Sequence, residues 1–415
     1  MLSILETLLE ESFDVIPQIH GTRRQCQFPQ AKEMIKVAIG MRRTGKSYFL
    51  YQTIQDLLKE GIDKKQILFI NFEDERLLPM STKQMGELLD AFYTLYPDNH
   101  HRVCYLFLDE VQNVPHWQQV VRRFFDTKKV QIYLTGSSAK LLSKEIATSL
   151  RGRSLSIEVW PFNFQEYLNA HQFNISTESM GKRTVDMLRE QLLCYFERGG
   201  FPGVQTLNQH EWRDSLQSYV DTVILRDVIE RHQVTNITLL KHLSNILLGS
   251  AACQFSVNKF YNDIKSQGYK VGKDTIYQYI NYLEDAYLIF TVPVYTESSR
   301  IRQNKTKKIY AIDNGLIQAN VLKLGKNLGR LFENQLYLDL KRQRKSIYYY
   351  HTAEGYEIDF VTIDPQGNRE LIQAVWEMND PTTITREKRA LAQAEKELGI
   401  PGRIVTMRDY LADKL

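Results

Sequence analysis

The sequence has 415 residues, of which 43% are hydrophobic and 25% are charged. This composition is typical of a soluble globular protein, and the length predicts roughly two to four domains that each bury a core without disulfide support. The net charge of +4 and the pI of about 8.6 are only mildly basic, so bulk charge does not by itself indicate a nucleic-acid partner.

The four cysteines, Cys26, Cys104, Cys194 and Cys253, lie far apart and form no CxxC pair. That spacing argues against a zinc site or a disulfide framework and is typical of a reducing compartment. No apolar run approaches the ~20 residues that cross a bilayer, and the first residues include acids but no basic leader. We therefore expect a cytoplasmic protein without a membrane partner.

The first third of the chain alternates β-rich runs with helical segments. Five strands are predicted, at 34–40, 67–73, 103–110, 130–138 and 154–161. Helices are predicted at about 46–60 and 83–96, and a further helix follows the third strand. Apolar strands that alternate with crossover helices predict an α/β fold, in which a parallel sheet is covered by helices on both faces.

The segment between the first strand and the first helix matches the phosphate-binding pattern GxxxxGK[ST], from Gly40 to Ser47. Its glycines let the backbone aim N–H groups at phosphate oxygens, Lys46 reaches the β- and γ-phosphates, and the Ser47 hydroxyl ligates Mg²⁺. The pattern therefore predicts a nucleoside triphosphate with Mg²⁺, the alternative being an ordinary glycine turn before a helix. The expected nucleotide contacts are Gly40, Arg42, Arg43, Thr44, Gly45, Lys46, Ser47 and Tyr48.

The third predicted strand ends in two adjacent acids, Asp109 and Glu110. In a parallel sheet, ligands bind at the edge formed by the carboxyl ends of the strands. We expect Asp109 to hold Mg²⁺, directly or through water, and Glu110 to polarise the attacking water as a general base. The glutamate distinguishes a hydrolysing enzyme from a kinase-like P-loop protein, and the alternative is a solvated strand end.

Two more polar groups follow near the same edge. The fourth strand runs into Thr135-Gly136-Ser137-Ser138, which places hydroxyls at this edge. These hydroxyls, with Ser137 as the chosen candidate, could sense the γ-phosphate or position the water, or could cap the next helix. Arg151 and Arg153 close that helix, and one of them could reach the γ-phosphate bound by a neighbouring subunit. That interpretation predicts a homo-oligomer with sites at subunit interfaces, and the alternative is a pair of surface arginines.

Together these motifs resemble those of the AAA+-like ATPases of bacteria and archaea that carry a domain named DUF4143. The resemblance extends to NFEDERL (71–77), GGFPG (199–203) and YVDTVILRDVIER (219–231). It implies that the nucleotide is ATP, and the sequence contains no recognisable NKxD-type guanine motif. It also implies an ASCE (additional-strand, catalytic-glutamate) sheet, in which one strand separates the P-loop strand from the strand of Asp109.

The resemblance further implies four domains in chain order. They are a P-loop AAA+-like ATPase core at 1–161, a helical lid or connector at 162–250, a winged helix at 251–318 and a small PD-(D/E)XK nuclease-like α/β domain at 319–415. The apolar spacing is helical from about 162 to 250, and the last hundred residues alternate helices with short strands, as this division requires.

The expected winged helix is also visible in the local pattern. Helices are predicted at about 257–266 and 273–285, and strands at 288–295 and 308–313 flank a basic segment. The second helix of such a motif enters the major groove and basic side chains contact phosphates, so we favour DNA as the partner. The predicted DNA contacts are Tyr277, Arg300, Arg302, Lys305, Lys307 and Lys308. The alternative is a winged helix that contacts protein.

Three residues near the end of the chain resemble the metal-binding set of the PD-(D/E)XK nuclease fold: Glu333 on a helix, Asp359 on a strand and Gln373 on the next strand. That chemistry needs convergent carboxylates and a lysine that supports the attacking water. The lysine position is occupied by Val375, and Gln373 replaces an acid. We therefore expect a degenerate site.

The sequence favours an oligomeric, Mg²⁺-dependent ATPase whose hydrolysis is coupled to DNA binding or remodelling. Two alternatives stay open. One is a nucleotide-controlled switch whose winged helix binds a protein partner, and the other is a DNA nuclease gated by ATP.

Overall fold

The computed structural model describes residues 2–136, 150, 152–173, 181–298, 305–321, 327–378 and 381–413. The chain divides into two compact units, Met1–Trp160 and Pro161–Leu415. Four of the predicted site residues lie outside the described residues: Ser137, Arg151, Arg300 and Arg302. In the described part of the chain, no helix is long and apolar enough to cross a membrane.

The first unit is built on a five-stranded parallel sheet. Its strands are β1 Ile35–Ile39, β2 Ile67–Asn71, β3 Cys104–Asp109, β4 Val130–Thr135 and β5 Ser154–Glu158. Its helices are α1 Leu2–Val15, α2 Lys46–Lys59, α3 Thr82–Leu95 and α4 Trp117–Thr127. The five predicted strands and the α/β class are confirmed.

The strand order is β2-β3-β4-β1-β5, and all neighbouring pairs are parallel. β4 therefore separates the P-loop strand β1 from the acidic strand β3, which confirms the ASCE arrangement. Because parallel strands end at one edge, this order brings the carboxyl ends of β1, β3 and β4 side by side.

The helix α2 packs on the sheet through apolar side chains. Phe49, Leu50 and Ile54 of α2 are buried against apolar side chains of the strands. The rings of Phe107 and Tyr133 on β3 and β4 stack with centroids 4.4 Å apart. Since burial of each large apolar side chain contributes about 1.5–3 kcal/mol, this core fixes the helix that begins at the P-loop.

The second unit begins with helices, as the sequence predicts for 162–250. They are α5 Phe164–Ala170, α6 Lys182–Arg198, α7 Gln209–Thr222 and α8 Ile237–Gly249. After α7 the chain continues through a π-helical segment, Val223–Ile229, and a last α-helical turn, Glu230–His232.

Two helices and a small antiparallel sheet follow. The elements are β6 Cys253–Phe255, α9 Val257–Ser266, α10 Lys273–Asp285, β7 Ile289–Val292, β8 Lys307–Ala311 and α11 Asn314–Asn320. The sheet order is β6-β8-β7. Both helices have the predicted bounds. The strand β6 was not predicted, because three residues are too few to show an alternating pattern.

The last part of the unit is a four-stranded sheet with helices. Its elements are α12 Leu328–Arg342, β9 Ser346–His351, β10 Glu357–Ile363, β11 Arg369–Val375, α13 Pro381–Leu398, β12 Gly402–Thr406 and α14 Met407–Asp413. The order is β12-β11-β10-β9, with β12 parallel to β11 and the other pairs antiparallel. α13 covers a core centred on Ile358, Val361 and Leu371.

Within this second unit, Asp313 joins the glycine-rich segment after α6 to the start of α11. Its carboxylate accepts hydrogen bonds from the Gly200 N–H at 2.6 Å and from the Leu316 N–H at 3.1 Å. A Cβ at Gly199, whose φ is +78°, would lie 2.1 Å from the Asp313 Oδ1 atom. A Cβ at Gly200 would lie 2.2 Å from the Phe162 carbonyl oxygen, so both glycines of GGFPG are required by close approaches of other atoms.

Candidate functional site

The loop from Gly40 to Ser47 joins β1 to α2 by a tight backbone turn. A Cβ on Gly40, whose φ is +152°, would lie 2.3 Å from the carbonyl oxygen of Val159. Arg43 and Gly45 both have left-handed backbone conformations, with φ of 68° and 92°. Residues with a side chain rarely adopt the φ of Gly40, and a side chain there would collide with Val159. Glycine is therefore required at position 40.

Lys46 lies inside this loop. Its side chain is buried, and its Nζ donates to the carbonyl oxygens of Gly40 at 3.2 Å and Met41 at 3.1 Å. The buried Thr44 closes the same turn by donating its hydroxyl to Met41 at 3.0 Å. The turn therefore gathers one ammonium group and the first N–H groups of α2, and both favour an anion.

Asp109, the last residue of β3, is 1% exposed and accepts hydrogen bonds from the hydroxyls of Thr135 and Ser47. Burial and, secondarily, the charge of Glu110 raise the pKa of Asp109 to about 6, although the two hydroxyls and Lys46 oppose the rise. The two residues expected to hold Mg²⁺, Ser47 and Asp109, are thus in direct contact. Their hydroxyl and carboxylate oxygens are the hard ligands that this ion prefers.

Glu110 follows in a left-handed conformation, with φ of 53°. Its N–H donates to the Thr135 hydroxyl at 3.0 Å, and its carboxylate accepts a hydrogen bond from the Gln112 side chain. Thr135 therefore contacts both acids. The sequence placed the Thr135 hydroxyl at this edge, but its contact with both acids was not predicted, and Ser137 was the residue chosen.

The remaining predicted loop residues lie at the surface of the site. Arg42 pairs with Glu73 after β2, at 3.6 Å. Tyr48 is 51% exposed at the first turn of α2. Arg153 pairs with Asp126 of α4 in its own chain and is half exposed. Whether Arg153 acts on a neighbouring subunit stays a prediction.

One residue that was not predicted also contacts the loop. The buried Arg24 donates to the carbonyl oxygen of Thr44 at 2.8 Å. Its place, 16 residues before the loop pattern begins, carries no local signal, and only the folded chain brings the two together.

The sequence of this chain matches two protein-family models and several related proteins. Residues 32–168 match a family model described as an AAA domain, and residues 189–327 match a domain of unknown function, DUF8612. The Methanocaldococcus jannaschii protein MJ1544 is 34% identical, over 99% of this chain and 91% of its own length. The chain belongs to the MJ1544 family. The AAA domain contains the loop, both acids and Thr135.

A Haemophilus influenzae protein is also similar to this member of the MJ1544 family, at 30% identity over 79% of each chain. The DUF4143 domain implied by the resemblance is not the one that matches, since the matching model is DUF8612.

Two solved structures show weaker likeness. The Walker-type ATPase Paby2304 of Pyrococcus abyssi has a TM-score of 0.43 at 13% identity, covering 74% of this chain and 99% of that one. The Aeropyrum pernix Orc1 protein in complex with DNA has a TM-score of 0.29 at 12% identity, covering 76% and 91%. Such low scores carry no information about ligands or partners.

The second unit of the MJ1544-family chain contains a separate cluster of acids around Lys308. The Lys308 Nζ lies 2.8 Å from Glu333, 2.6 Å from Glu357 and 3.0 Å from Asp359. Burial opposes the charge on the ammonium, but the surrounding negative groups raise the pKa of Lys308 well above its ordinary value. Tyr310 donates a further hydrogen bond to Glu333 at 2.7 Å.

This cluster contradicts the prediction that Lys308 contacts DNA, because its side chain is only 2% exposed. Alternate residues of a strand point to opposite faces, so Lys308 faces inward while its neighbour Lys307 does not. The predicted nuclease-like residues do come together: Gln373 accepts a hydrogen bond from the Asp359 N–H at 3.2 Å. A lysine therefore contacts these carboxylates, but it comes from β8 and not from position 375.

The other described residues of the predicted DNA contact do share one surface. Tyr277 of α10 is 46% exposed and Lys305 is exposed. Together with Lys307, these residues line a pocket of about 60 Å³ between the two helices and the small sheet.

Proposed function

We propose that this protein binds ATP with Mg²⁺ in the P-loop and hydrolyses it. The observation that carries the proposal is the contact of Ser47 with Asp109 beside a buried Lys46. This arrangement supplies one cation for the phosphates and two oxygen ligands for the metal. An adjacent acid, Glu110, stands at the same sheet edge. Membership of the MJ1544 family, with its AAA domain, supports the same conclusion.

Different residues would bind the phosphates and the metal ion. Lys46 would exchange its bonds to the Gly40 and Met41 carbonyls for the β- and γ-phosphates. Ser47 and Asp109 would hold Mg²⁺, which when bound neutralises charge on the phosphate oxygens. Loop N–H groups and the start of α2 would bind the remaining oxygens.

The residues for hydrolysis lie next to the metal ligands. Glu110 would accept a proton from the attacking water, whose oxygen bonds to the γ-phosphorus as the bond to the β–γ bridging oxygen breaks. Thr135 would fix the positions of Glu110 and Asp109 relative to each other, since it contacts both. Thr135 would thus act at the end of β4, close in sequence to Ser137, which was expected to act there.

An oligomer would complete the site. Arg153 is half exposed and Arg151 precedes it, so either guanidinium could stabilise charge at the γ-phosphate of a neighbouring subunit. Loss of an arginine with this role lowers turnover by ~10³–10⁵. Separate Arg151→Ala and Arg153→Ala variants would identify the residue, and turnover near wild type would clear it.

Phosphate release from ATP by the purified protein tests the proposal directly. We expect turnover that needs Mg²⁺ and disappears in Lys46→Ala. Equal phosphate release by that variant would show that the activity comes from a contaminant, and none from the wild-type protein would oppose hydrolysis.

We further propose that DNA binds the surface formed by Tyr277, Lys305 and Lys307. An exposed aromatic ring beside two lysines suits phosphate and base contacts. The buried pairing of Lys308 with three carboxylates disfavours the nuclease alternative, because the ammonium already neutralises the acids that a metal would need.

Binding of duplex DNA at several salt concentrations, measured with and without ATP, tests this part. We expect Lys305→Gln with Lys307→Gln to reduce the salt slope by about 2. The matched control removes two exposed charges from α13, at Lys388 and Lys396, and should leave the slope unchanged. DNA binding without any salt dependence, and no stimulation of turnover, would favour the protein-binding switch instead.

A further inference from the structure

Arg24 belongs to a segment between α1 and β1 that is held on the P-loop helix. The Arg24 N–H donates to the Gln52 side chain at 3.2 Å, and Gln52 donates in return to the Thr22 carbonyl at 2.9 Å. Gln52 lies on α2, the helix that begins at Lys46. The backbone at Arg24 is therefore fixed relative to the loop.

The Arg24 guanidinium bridges one carbonyl group of the loop and one carbonyl group that follows β5. Its Nη1 donates to Thr44 at 2.8 Å, and its Nη2 donates to Trp160, just after β5, at 2.6 Å. Arg24 as a whole residue is 8% exposed, and Thr44 is fully buried. An arginine is suited to this task because its planar fork presents several donors and keeps its charge at every physiological pH.

The hydrogen bond from Arg24 to the Thr44 carbonyl oxygen also constrains the N–H group of Gly45. A peptide unit is planar and trans, so its C=O and N–H groups point in opposite directions. When the Thr44 carbonyl points at Arg24, the N–H of Gly45 in the same peptide unit must point away from it. Gly45 has no side chain and a left-handed φ of 92°, a conformation that glycine adopts readily.

We infer that Arg24 is a positioning residue for nucleotide binding, which holds the Thr44–Gly45 peptide unit so that the Gly45 N–H faces the phosphates. The inference rests on the proposed binding of ATP. Arg24 also places a permanent positive charge behind the loop that takes up the polyphosphate. It acts through the loop backbone, and no direct contact with ATP is required.

Arg23 offers a matched control. It is the adjacent arginine, but it lies on the surface and pairs with Asp56 of α2 at 2.6 Å. Arg23→Met and Arg24→Met remove the same charge and keep the same apolar stem. Only the second variant loses a contact with the P-loop.

Titration of each variant with ATP and Mg²⁺ gives both the Kd and the number of sites per chain. We expect Arg24→Met to raise the Kd by about 10- to 100-fold, the range for loss of a charge-assisted hydrogen bond. Arg24→Lys should be intermediate, because a single ammonium cannot serve both carbonyls with the same geometry. Arg23→Met should stay within about twofold of wild type.

The number of sites separates positioning from folding. A residue that only supported the fold would reduce the number of sites and leave the Kd of the folded molecules unchanged. That result, or equal Kd values for Arg24→Met and Arg23→Met, would overturn the inference. If Arg24→Met does not fold, Arg24→Lys decides, and a wild-type Kd for that variant overturns it. No ATP binding by the wild-type protein would instead defeat the proposed function itself.

Discussion

Thr135, the last residue of β4, donates a hydrogen bond to Asp109 and accepts one from the N–H of Glu110 at 3.0 Å. One buried hydroxyl therefore joins the proposed metal ligand to the proposed general base. The contact depends on the strand order, because β4 is the neighbour of β3 and both end at the same edge. Chemistry at this edge should depend on Thr135 as well as on the acids.

Thr135→Val keeps the shape of the side chain and removes the hydroxyl. We expect turnover to fall by about 10- to 100-fold, because the two acids lose the hydroxyl that orients them, and loss of one buried hydrogen bond costs about 1–3 kcal/mol. Thr135→Ser retains the hydroxyl and serves as the control. Phosphate release at saturating ATP is the measurement, and turnover by Thr135→Val equal to that of Thr135→Ser would refute the role.

Glu110→Gln removes the proposed base and keeps its shape. We expect ATP binding to persist while turnover falls by ~10²–10⁴, the usual contribution of a general base. Glu73→Gln is the control, since this half-exposed acid follows the neighbouring strand β2 and pairs with Arg42. Single-turnover hydrolysis beside a binding titration checks the prediction. Normal hydrolysis by Glu110→Gln would mean that another group activates the water.

Lys308→Met leaves Glu333, Glu357 and Asp359 without their shared cation. Removal of one partner of a buried ion pair costs about 3–5 kcal/mol, so the free energy of unfolding should drop by that order. Lys307→Met on the same strand should change it by less than about 1 kcal/mol, as a more exposed charge does. Urea unfolding measures both. Equal decreases in the free energy of unfolding for the two variants would contradict the proposal that Lys308 neutralises the buried carboxylates.

Asp313 should make stability depend on pH. Burial raises its pKa to about 6, against an ordinary value of 3.8, although backbone hydrogen bonds from Gly200, Leu316 and Gly315 oppose the rise. The folded state therefore holds this proton more tightly than the unfolded state does. The contribution of Asp313 to stability is fully present below about pH 4 and is lost as the pH rises through about 6.

Comparison with Asp313→Asn isolates that contribution, because the variant cannot titrate there. The free energy of unfolding of the wild type, minus that of the variant, should fall by about 2 kcal/mol between pH 4.5 and pH 7.5. Unfolding curves at several pH values provide the measurement. A difference that is constant or rises with pH would show that the carboxyl group is not perturbed in this way.

The features predicted correctly from sequence are those with a local pattern. The P-loop from Gly40 to Ser47 has fixed spacing, and β1 and β3 are predominantly apolar runs. The helices Val257–Ser266 and Lys273–Asp285 each showed helical periodicity. Each of these signals lies within about twenty residues of chain, which is the range over which hydrophobic periodicity operates.

The features missed depend on contacts between distant residues. Arg24 reaches Thr44 from another segment, and Lys308 reaches Asp359, 51 residues away. Lys308 looked like part of a basic surface, because the charge pattern around it does not reveal which face of β8 is buried. Thr135 was one of several hydroxyls expected at this edge, and its contacts with Asp109 and Glu110 became visible only with the β3–β4 pairing.

Equilibrium binding of labelled ATP in the presence of Mg²⁺, by the wild-type protein and by Lys46→Ala, tests the central claim most directly. We predict saturable binding of one ATP per chain by the wild type, and loss of this binding in the variant. Both proteins should show the same far-ultraviolet circular dichroism. Absence of binding by the folded wild type, or undiminished binding by the variant, would contradict the account.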